Sequence, residues 1–222
     1  MTKPIVLVHG AWHGAWCFQK LSELLRNKGV DTTSVNLPLL GPEGDIETAR
    51  QVINEKPGAV VLGHSYGGLV ITHASLRADV SHLVYLSALM PDVDEDINEA
   101  VATAPPATAL ETAMVFEADG SVSINPDLAV DAFYDDCDRN EAADAVARLR
   151  PQVLEPFPIL SDEPSWKEIS STYVVCKDDK ALHPELQSTF ARRAENVFEL
   201  PGAHSPFLSR PGEVAEILLN LV

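Results

Sequence analysis

The sequence predicts an α/β fold in which a sheet of about six mainly parallel strands carries helices on both faces and one inserted lid. Two observations predict the sheet. Short runs rich in β-branched residues alternate with longer amphipathic runs, and the first run, Pro4–Val8, is continuously apolar, as a strand buried on both faces is. A third observation predicts the insertion: residues 91–168 hold 19 acidic and four basic residues, whereas the other 144 residues hold 14 and 12. We therefore expect a core of residues 1–90 and 169–222 and an inserted acidic lid of residues 91–168.

The predicted elements follow from local signals. Apolar residues at 18, 21, 24 and 25 have helical spacing, Gly29 is a plausible terminator, and Pro211 suits the first turn of the last helix. The predicted strands are residues 4–8, 30–35, 59–62, 82–86, 172–176 and 196–200. The predicted helices of the core are residues 18–28, 45–54, 66–77, 184–193 and 211–221. In the lid, Asp119-Gly120 between two short strand runs (114–117 and 122–124) predicts a hairpin, and residues 128–137 and 140–149 are predicted as helices.

Composition excludes several classes of protein. The chain has 222 residues, of which 45% are apolar and 22% charged, which fits a globular domain and excludes a disordered chain. A net charge of −17 argues against a nucleic-acid partner. No apolar run approaches the roughly 20 residues of a spanning helix, so no membrane partner is expected. Three widely spaced cysteines, Cys17, Cys137 and Cys176, predict no disulfide framework and a reducing compartment, with the cytoplasm as the default location.

The motif Gly63-His-Ser-Tyr-Gly-Gly68 carries the strongest chemical signal. Ser65 stands where a predicted buried strand ends and a helix begins. A serine on so sharp a turn has a strained backbone, which requires small neighbours two residues away, as at Gly63 and Gly67. Its hydroxyl then lies at a helix N-terminus, where partial positive charge favours a developing anion. The same glycines would suit a purely structural turn, but the strand–turn–helix context favours Ser65 as a nucleophile.

A serine nucleophile needs a base that is itself oriented by a carboxylate, and in this architecture both follow later strands in the order Ser, acid, His. His204 lies in the loop after the last predicted strand and is the predicted base, whereas His183 precedes a helix and is predicted as a surface or helix-start residue. Asp178 and Asp179 both follow the fifth strand. Asp179 leads directly into the apolar turn and is the predicted acid; Asp178 is predicted as a solvent-facing or supporting carboxylate.

An oxyanion hole of backbone N–H donors completes such a site. One donor is expected from Tyr66, directly after the nucleophile. The other is expected from Ala11 in the loop after the first strand, where Gly10 permits close approach of the backbone. His9 and His13 are four residues apart, a spacing that a metal pair could use. They lie on a loop without an acidic partner, so we predict no metal and a structural role for both.

Four motifs together resemble the α/β-hydrolase superfamily, and within it the branch that contains plant methylesterases of the salicylate-binding type, related bacterial esterases and hydroxynitrile lyases. They are His9–Trp16, Gly63–Gly68, Val175–Leu182 and Gly202–His204. The resemblance covers essentially the whole chain, including the small hairpin of the lid. It implies a Ser-His-Asp hydrolase without a cofactor, and by position it supports Ser65, Asp179 and His204 with Ala11 and Tyr66 as oxyanion donors.

Two positions separate activities within this branch. The cyanohydrin-cleaving members carry Thr where this chain has Gly10 and Lys where it has Ser205. That Thr orients the cyanohydrin and that Lys stabilises departing cyanide, so the resemblance argues against lyase activity here. Because the first predicted strand begins at residue 4, the two leading strands of the full eight-stranded fold are expected to be absent, a shortening that resembles the branch.

The expected function is that of a serine carboxylesterase acting on a small, neutral, apolar ester through an acyl-enzyme. The residues expected to line the substrate pocket are Gly10, Trp12, Phe116, Phe133 and Trp166, and other apolar lid residues available for it are Met114, Leu128, Leu149 and Phe157. The sequence leaves the lid charge with two interpretations, solubility or discrimination against anionic esters. A lactonase or thioesterase, a hydrolase-fold receptor with negligible turnover and a cofactor-free dioxygenase remain alternatives. The expected partner is a small-molecule ester, and the sequence does not decide between a monomer and a homodimer.

Overall fold

The computed structural model describes residues 2–222, in which six parallel strands form one sheet. These strands are β1 (Ile5–Val8), β2 (Thr32–Val35), β3 (Ala59–His64), β4 (Val80–Leu86), β8 (Ser171–Cys176) and β9 (Asn196–Leu200). Three further strands, β5 (Met114–Phe116), β6 (Ser121–Ile124) and β7 (Gln152–Val153), form a separate antiparallel sheet. The prediction of six mainly parallel strands with a small hairpin in the insertion is confirmed.

Helices connect the strands. They are α1 (Gln19–Asn27), α2 (Pro42–Asn54), α3 (Tyr66–Ala74), α4 (Ile97–Thr103), α5 (Thr108–Ala113), α6 (Pro126–Ala129), α7 (Arg139–Val146), α8 (Pro184–Ala191), α9 (Pro206–Ser209) and α10 (Pro211–Leu219). Of these, α1, α2, α3, α8 and α10 cover the faces of the large sheet, and α4 to α7 belong to the inserted segment. Short 3₁₀ turns lie at Ala15–Phe18 and Ser165–Lys167, and a π-helical turn, Val130–Tyr134, continues α6. Within residues 2–222, no helix combines the length and apolarity that crossing a bilayer requires.

Two apolar clusters bury the two faces of the large sheet, as alternation along a strand requires. In β1, Ile5 and Leu7 pack on the face covered by α1 and α10, whereas Val6 and Val8 pack on the face covered by α2, α3 and α8. All four side chains are fully buried, which explains why the sequence of this strand is continuously apolar.

The inserted segment, residues 91–168, lies between β4 and β8, and we keep for it the name lid that the sequence analysis gave it. It contributes most of a smaller cluster, rich in alanine and built around Phe133 and Tyr134. Sequence reasoning predicted its hairpin and the helical character of the segments around α6 and α7. It missed α4, α5 and β7. Strand β7 has only two residues, too few for a periodic pattern. Helix α4 has seven residues and begins after Asp96, whose carboxylate caps it.

The order of the strands fixes where the site forms. In the order β2-β1-β3-β4-β8-β9, strand β1 pairs with β2 on one side and with β3 on the other, so the chain reverses its direction across the sheet there. A crevice opens outside the carboxyl ends of strands at such a switch point. The pairing of Val8 with Gly63 sets the loop after β1 beside Ser65, and the pairing of Cys176 with Leu200 sets the loops after β8 and β9 side by side.

Candidate active site

Ser65 occupies a strained turn between β3 and α3, with φ of 54° and ψ of −122°. A Cβ atom at Gly63 would collide with the backbone of Gly67, and one at Gly67 with the backbone of Val8, so neither position accepts a side chain. The backbone of Ser65 is held on both sides. Its N–H donates to the carbonyl of Leu86 (3.2 Å), and its carbonyl accepts from Gly68 N and Leu89 N (3.0 and 3.1 Å). The surrounding structure therefore maintains a conformation that a serine adopts only at an energetic cost.

The predicted acid and base form a buried pair. His204 Nδ1 donates to Asp179 Oδ2 at 2.7 Å, and both side chains are almost completely inaccessible. The other oxygen of Asp179, Oδ1, accepts the backbone N–H groups of Ala181 and Leu182 at 2.8 and 2.9 Å. With its Nδ1–H bound to a carboxylate, neutral His204 has Nε2 as its free acceptor, the arrangement that a general base requires.

Asp178 and His183, the other acid and base that the sequence analysis considered, lie outside the His204–Asp179 pair. Asp178 is exposed, and its Oδ2 accepts the N–H of Gly202 at 2.9 Å, so it supports the loop that carries His204. His183 caps the start of α8, where its Nδ1 accepts from Glu185 N.

His64 brings the base next to the nucleophile. Its ring centroid lies 4.6 Å from that of His204, and its Nε2–H donates to the His204 carbonyl at 2.8 Å. Burial lowers the pKa of His64 well below 6.5, so its ring is neutral. Among the residues that the structure describes, Ser65 Oγ makes no hydrogen bond to His204; in unliganded sites such bonds are often long and tighten when substrate binds.

Two buried histidines shape the loop after β1. Leu37 N donates to His9 Nε2 at 3.0 Å, so the ring proton is on Nδ1, which donates to the Gly10 carbonyl at 2.8 Å. By the same reasoning, His13 Nδ1 donates to the Ala11 carbonyl at 2.7 Å and its Nε2 accepts from the Tyr134 hydroxyl at 2.8 Å. Burial lowers the pKa of His9 to about 4 and that of His13 to about 3, which keeps both rings neutral at neutral pH.

These hydrogen bonds fix the candidate oxyanion donor. Because a peptide is planar and trans, holding the Gly10 carbonyl on one side directs the N–H of Ala11 to the opposite side. Neither Ala11 N–H nor Tyr66 N–H donates to an acceptor within residues 2–222. A side chain at Gly10 would come within 2.9 Å of both His64 Nδ1 and Ser65 Cβ, so the loop approaches the nucleophile as closely as only glycine allows.

The lid holds this loop from its other side. Arg150 donates through Nε and Nη2 to the carbonyl of His13 (3.1 and 2.6 Å) and through Nη2 to that of Leu37 (3.0 Å). Its own N–H donates to the carbonyl of Trp12 at 2.8 Å, and Gln152 Oε1 accepts from Trp12 N at 3.3 Å. We call residues 150–152 the lid clamp.

A cavity of about 640 Å³ opens above Ser65. Its wall is mostly apolar, as small-molecule sites are, and among residues 2–222 no Lys or Arg lines it. The lining residues are Ala11, Trp12, Ser65, Tyr66, Leu89, Asp96, Asn98, Val101, Leu110, Met114, Gln152, Leu154, Glu155, Pro156, Phe157, Ala181 and Leu182. Two contacts orient the side chain of Tyr66: its hydroxyl donates to the buried Asp45 at 2.9 Å, and its ring stacks on that of Phe157.

Of the five predicted pocket residues, Trp12 lines this cavity and the other four do not. Phe116 is 75% exposed, because β5 is an edge strand of the lid sheet and this side chain points to solvent. Phe133 lies behind the wall in the lid cluster, with its ring 5.8 Å from that of His204. Trp166 packs against the core cluster, and its Nε1–H donates to the Pro91 carbonyl. Gly10 lies in the loop after β1 and packs against His64.

Sequence reasoning also missed residues that hold the site together. They are His64, Tyr134, Arg150, Gln152 and Gln187, whose amide donates to Asp179 Oδ2. Gln187 alone carried a signal: it lies on the stripe of α8 that also holds Leu186 and Phe190, where a polar residue is unexpected.

Comparisons with known proteins agree with this architecture. The chain matches the alpha/beta hydrolase family over residues 5–217. It is 28% identical over 253 residues to polyneuridine aldehyde esterase of Rauvolfia serpentina, with 99% of this chain and 95% of that one covered. It is 27% identical over 251 residues to methylesterase 1 of Arabidopsis thaliana, with coverage of 97% and 94%. A crystal structure of polyneuridine aldehyde esterase, 24% identical, superposes with a TM-score of 0.83 over 99% of both chains. The predicted resemblance is confirmed.

Proposed function

Because the chain belongs to the alpha/beta hydrolase family, we propose that it is a carboxylic-ester hydrolase that works through a covalent acyl-enzyme on Ser65. One observation carries the proposal: a serine with positive φ and a buried His204–Asp179 pair lie at the carboxyl edge of one sheet, beside an apolar cavity. The esterase names of the relatives support the same reaction class.

In the proposed reaction, Ser65 Oγ attacks the ester carbonyl while His204 Nε2 accepts the hydroxyl proton. Asp179 keeps the proton of neutral His204 on Nδ1 and stabilises the imidazolium that forms. The free N–H groups of Ala11 and Tyr66 stabilise the oxyanion of the tetrahedral intermediate. His204 then protonates the departing alcohol, and afterwards it activates the water that hydrolyses the acyl-enzyme.

The cavity supports an apolar, uncharged ester as substrate. Apolar side chains from core and lid form most of its wall, with Asp96 and Glu155 as its acidic residues. An anionic ester would be repelled by these two carboxylates, and no lysine or arginine among the lining residues would offset the repulsion. A volume of about 640 Å³ lies within the range usual for sites that bind drug-sized molecules.

The test combines labelling and turnover. A fluorophosphonate probe should label the wild type at Ser65, and the wild type should hydrolyse a neutral aryl ester. In Ser65→Ala, kcat/KM for that ester should be lower by about 10⁴- to 10⁶-fold. Ser81→Ala, a half-buried serine at the start of β4, is the control and should keep wild-type activity. A Ser65→Ala variant that retains more than a tenth of the activity would exclude Ser65 as the nucleophile. Labelling without measurable turnover would instead indicate a receptor.

A further inference from the structure

Gln187 is a fully buried polar residue on the inner face of α8, one helical turn after the loop that carries Asp179. Its neighbours on that face, Leu186 and Phe190, are buried apolar residues. Burying an amide among them is unfavourable unless its donors and acceptor are hydrogen-bonded. The partners of Gln187 therefore indicate why an amide is present at this position.

Each polar atom of the amide has a partner. Cys176 N donates to Gln187 Oε1 at 2.9 Å, and Gln187 Nε2 donates both to the Leu182 carbonyl and to Asp179 Oδ2, each at 2.7 Å. The backbone N–H of Cys176 needs an acceptor, and the other two partners are acceptors only. The orientation of the amide is therefore determined by its surroundings.

The bond to Asp179 is made to the same oxygen that His204 uses. Oδ1 is occupied by two backbone N–H groups, whereas Oδ2 accepts from Gln187 Nε2 and from His204 Nδ1, both at 2.7 Å. Two bonds to Oδ1 leave the carboxylate able to tilt about that oxygen. The bond from Gln187 fixes the second oxygen and leaves its remaining lone pair directed to the imidazole.

We propose that Gln187 is a positioning residue for Asp179, an inference that rests on the proposed role of Asp179 as the acid of the triad. Gln187 holds Oδ2 in the plane that His204 Nδ1–H requires. Gln187 does not line the cavity, so it acts on the rate through Asp179 and not through substrate contact.

Two variants test this role. Gln187→Met keeps the length of the side chain and removes the donor, and kcat/KM should fall about 10- to 100-fold with KM little changed, as expected when a hydrogen bond to a charged group is lost. Gln187→Glu keeps an acceptor for Cys176 N and places its second carboxyl oxygen beside two acceptors, Asp179 Oδ2 and the Leu182 carbonyl, so this buried carboxyl should hold a proton. The proton restores a donor to Asp179 Oδ2, so kcat/KM of Gln187→Glu should exceed that of Gln187→Met. Thermal unfolding and far-UV circular dichroism establish that each variant is folded.

A double-mutant cycle separates positioning from a general packing defect. Combined with Asp179→Asn, Gln187→Met should cost little more than Asp179→Asn alone, because a residue that acts through a carboxylate has no role once the carboxylate is gone. A merely structural Gln187 would reduce kcat/KM by the same factor in both backgrounds, and that result, or a Gln187→Glu variant no more active than Gln187→Met, would overturn the inference. If Asp179→Asn itself keeps a tenth of the wild-type rate, the proposed triad is wrong, which is a separate outcome.

Discussion

The core and the lid differ in the side chains that stabilise them. Core strands such as β1 bury large apolar side chains on both faces, whereas the lid packs alanines around two aromatic rings and contacts the core through ion pairs as well as apolar side chains. Five core bases pair with lid acids. These pairs are Lys20–Glu141, Arg77–Asp162, Lys180–Asp131, Lys180–Asp135, Arg193–Glu95 and Arg210–Asp136. Part of the negative charge of the lid is thus used in contacts with the core.

The core and the lid also contribute different parts of the proposed active site. The core supplies every group proposed to react with substrate, because those groups follow strands whose carboxyl ends meet at one edge. The lid supplies cavity walls and the lid clamp. Exposed ion pairs contribute about 0–1 kcal/mol each, so the lid is expected to depend more on its apolar cluster than on its charges. Changes in the core should therefore affect rate most, and changes in lid charge should affect selectivity.

The two adjacent aspartates after β8 provide the largest expected effect. Asp179→Asn should lower kcat/KM about 10⁴-fold, since an amide cannot stabilise the imidazolium and favours the wrong tautomer. Asp178→Asn keeps an oxygen that can accept from Gly202 N and should remain within about threefold of wild type. Steady-state kinetics on one neutral aryl ester compares the two. Equal losses, or a larger loss in Asp178→Asn, would move the acid to Asp178.

Acid stability should be governed by the core, where burial lowers the pKa of His9 and His73 to about 4, that of His13 to about 3 and that of His64 well below 6.5. Between pH 6.5 and 4 the unfolded chain binds these protons and the folded chain does not. The free energy of unfolding is therefore fully present above about pH 6.5 and falls as the pH is lowered, by at most about 3 kcal/mol for a group shifted to about 4.

Urea unfolding at pH 7, 6, 5 and 4 measures this slope. His73 lies on α3, and its Nε2 has no partner within the described residues, so His73→Leu removes one such group without touching the cavity lining. The variant should lose less stability than the wild type between pH 7 and 4. Parallel curves for the two proteins would show that His73 contributes nothing to acid unfolding.

The smallest expected effect concerns the lid acids that line the cavity. A charge about 10 Å from an anionic ester in water costs roughly 0.4 kcal/mol, a factor of about two in rate. Glu155→Gln and Asp96→Asn should therefore each raise kcat/KM about twofold for a dicarboxylate half-ester and leave a neutral ester of similar size unchanged. Asparagine at 96 can still cap α4.

Salt provides the matching control, because exposed charges are screened over about 8–10 Å at physiological ionic strength. Raising salt should narrow the gap in kcat/KM between the neutral and the anionic ester in the wild type, and should narrow it less in a variant that combines Glu155→Gln with Asp96→Asn. Asp162→Asn, a lid acid outside the cavity lining, should leave the gap unchanged. A gap that salt does not alter would assign the lid charge to solubility alone.

The sequence was informative where a local pattern determines the structure. Strand β1 could be predicted because burial on both faces requires a continuous apolar run, and Ser65 because its turn excludes side chains at Gly63 and Gly67. Strand β7 pairs with a strand far away along the chain and has no periodicity of its own. Its place depends on tertiary contacts that no window of the sequence contains.

The same distinction applies within the site. Asp179 and His204 follow predicted strands at the expected positions, whereas Phe116 was expected in the pocket on hydrophobicity alone and faces solvent. Hydrophobicity states that a side chain favours burial, but the position of β5 at a sheet edge decides whether burial is available. Arg150 reaches His13 across 137 residues of sequence, and nothing near either residue indicates that contact.

The lid clamp has a consequence for exchanging parts between relatives. Arg150 and Gln152 hold the carbonyl of His13 and both polar backbone groups of Trp12, directly after the proposed oxyanion donor. A lid transplanted from another hydrolase to change substrate preference would remove these contacts together with the old pocket walls. Such a chimera should bind its new ester yet turn it over slowly, unless the graft ends before residue 150 or carries an equivalent arginine and glutamine.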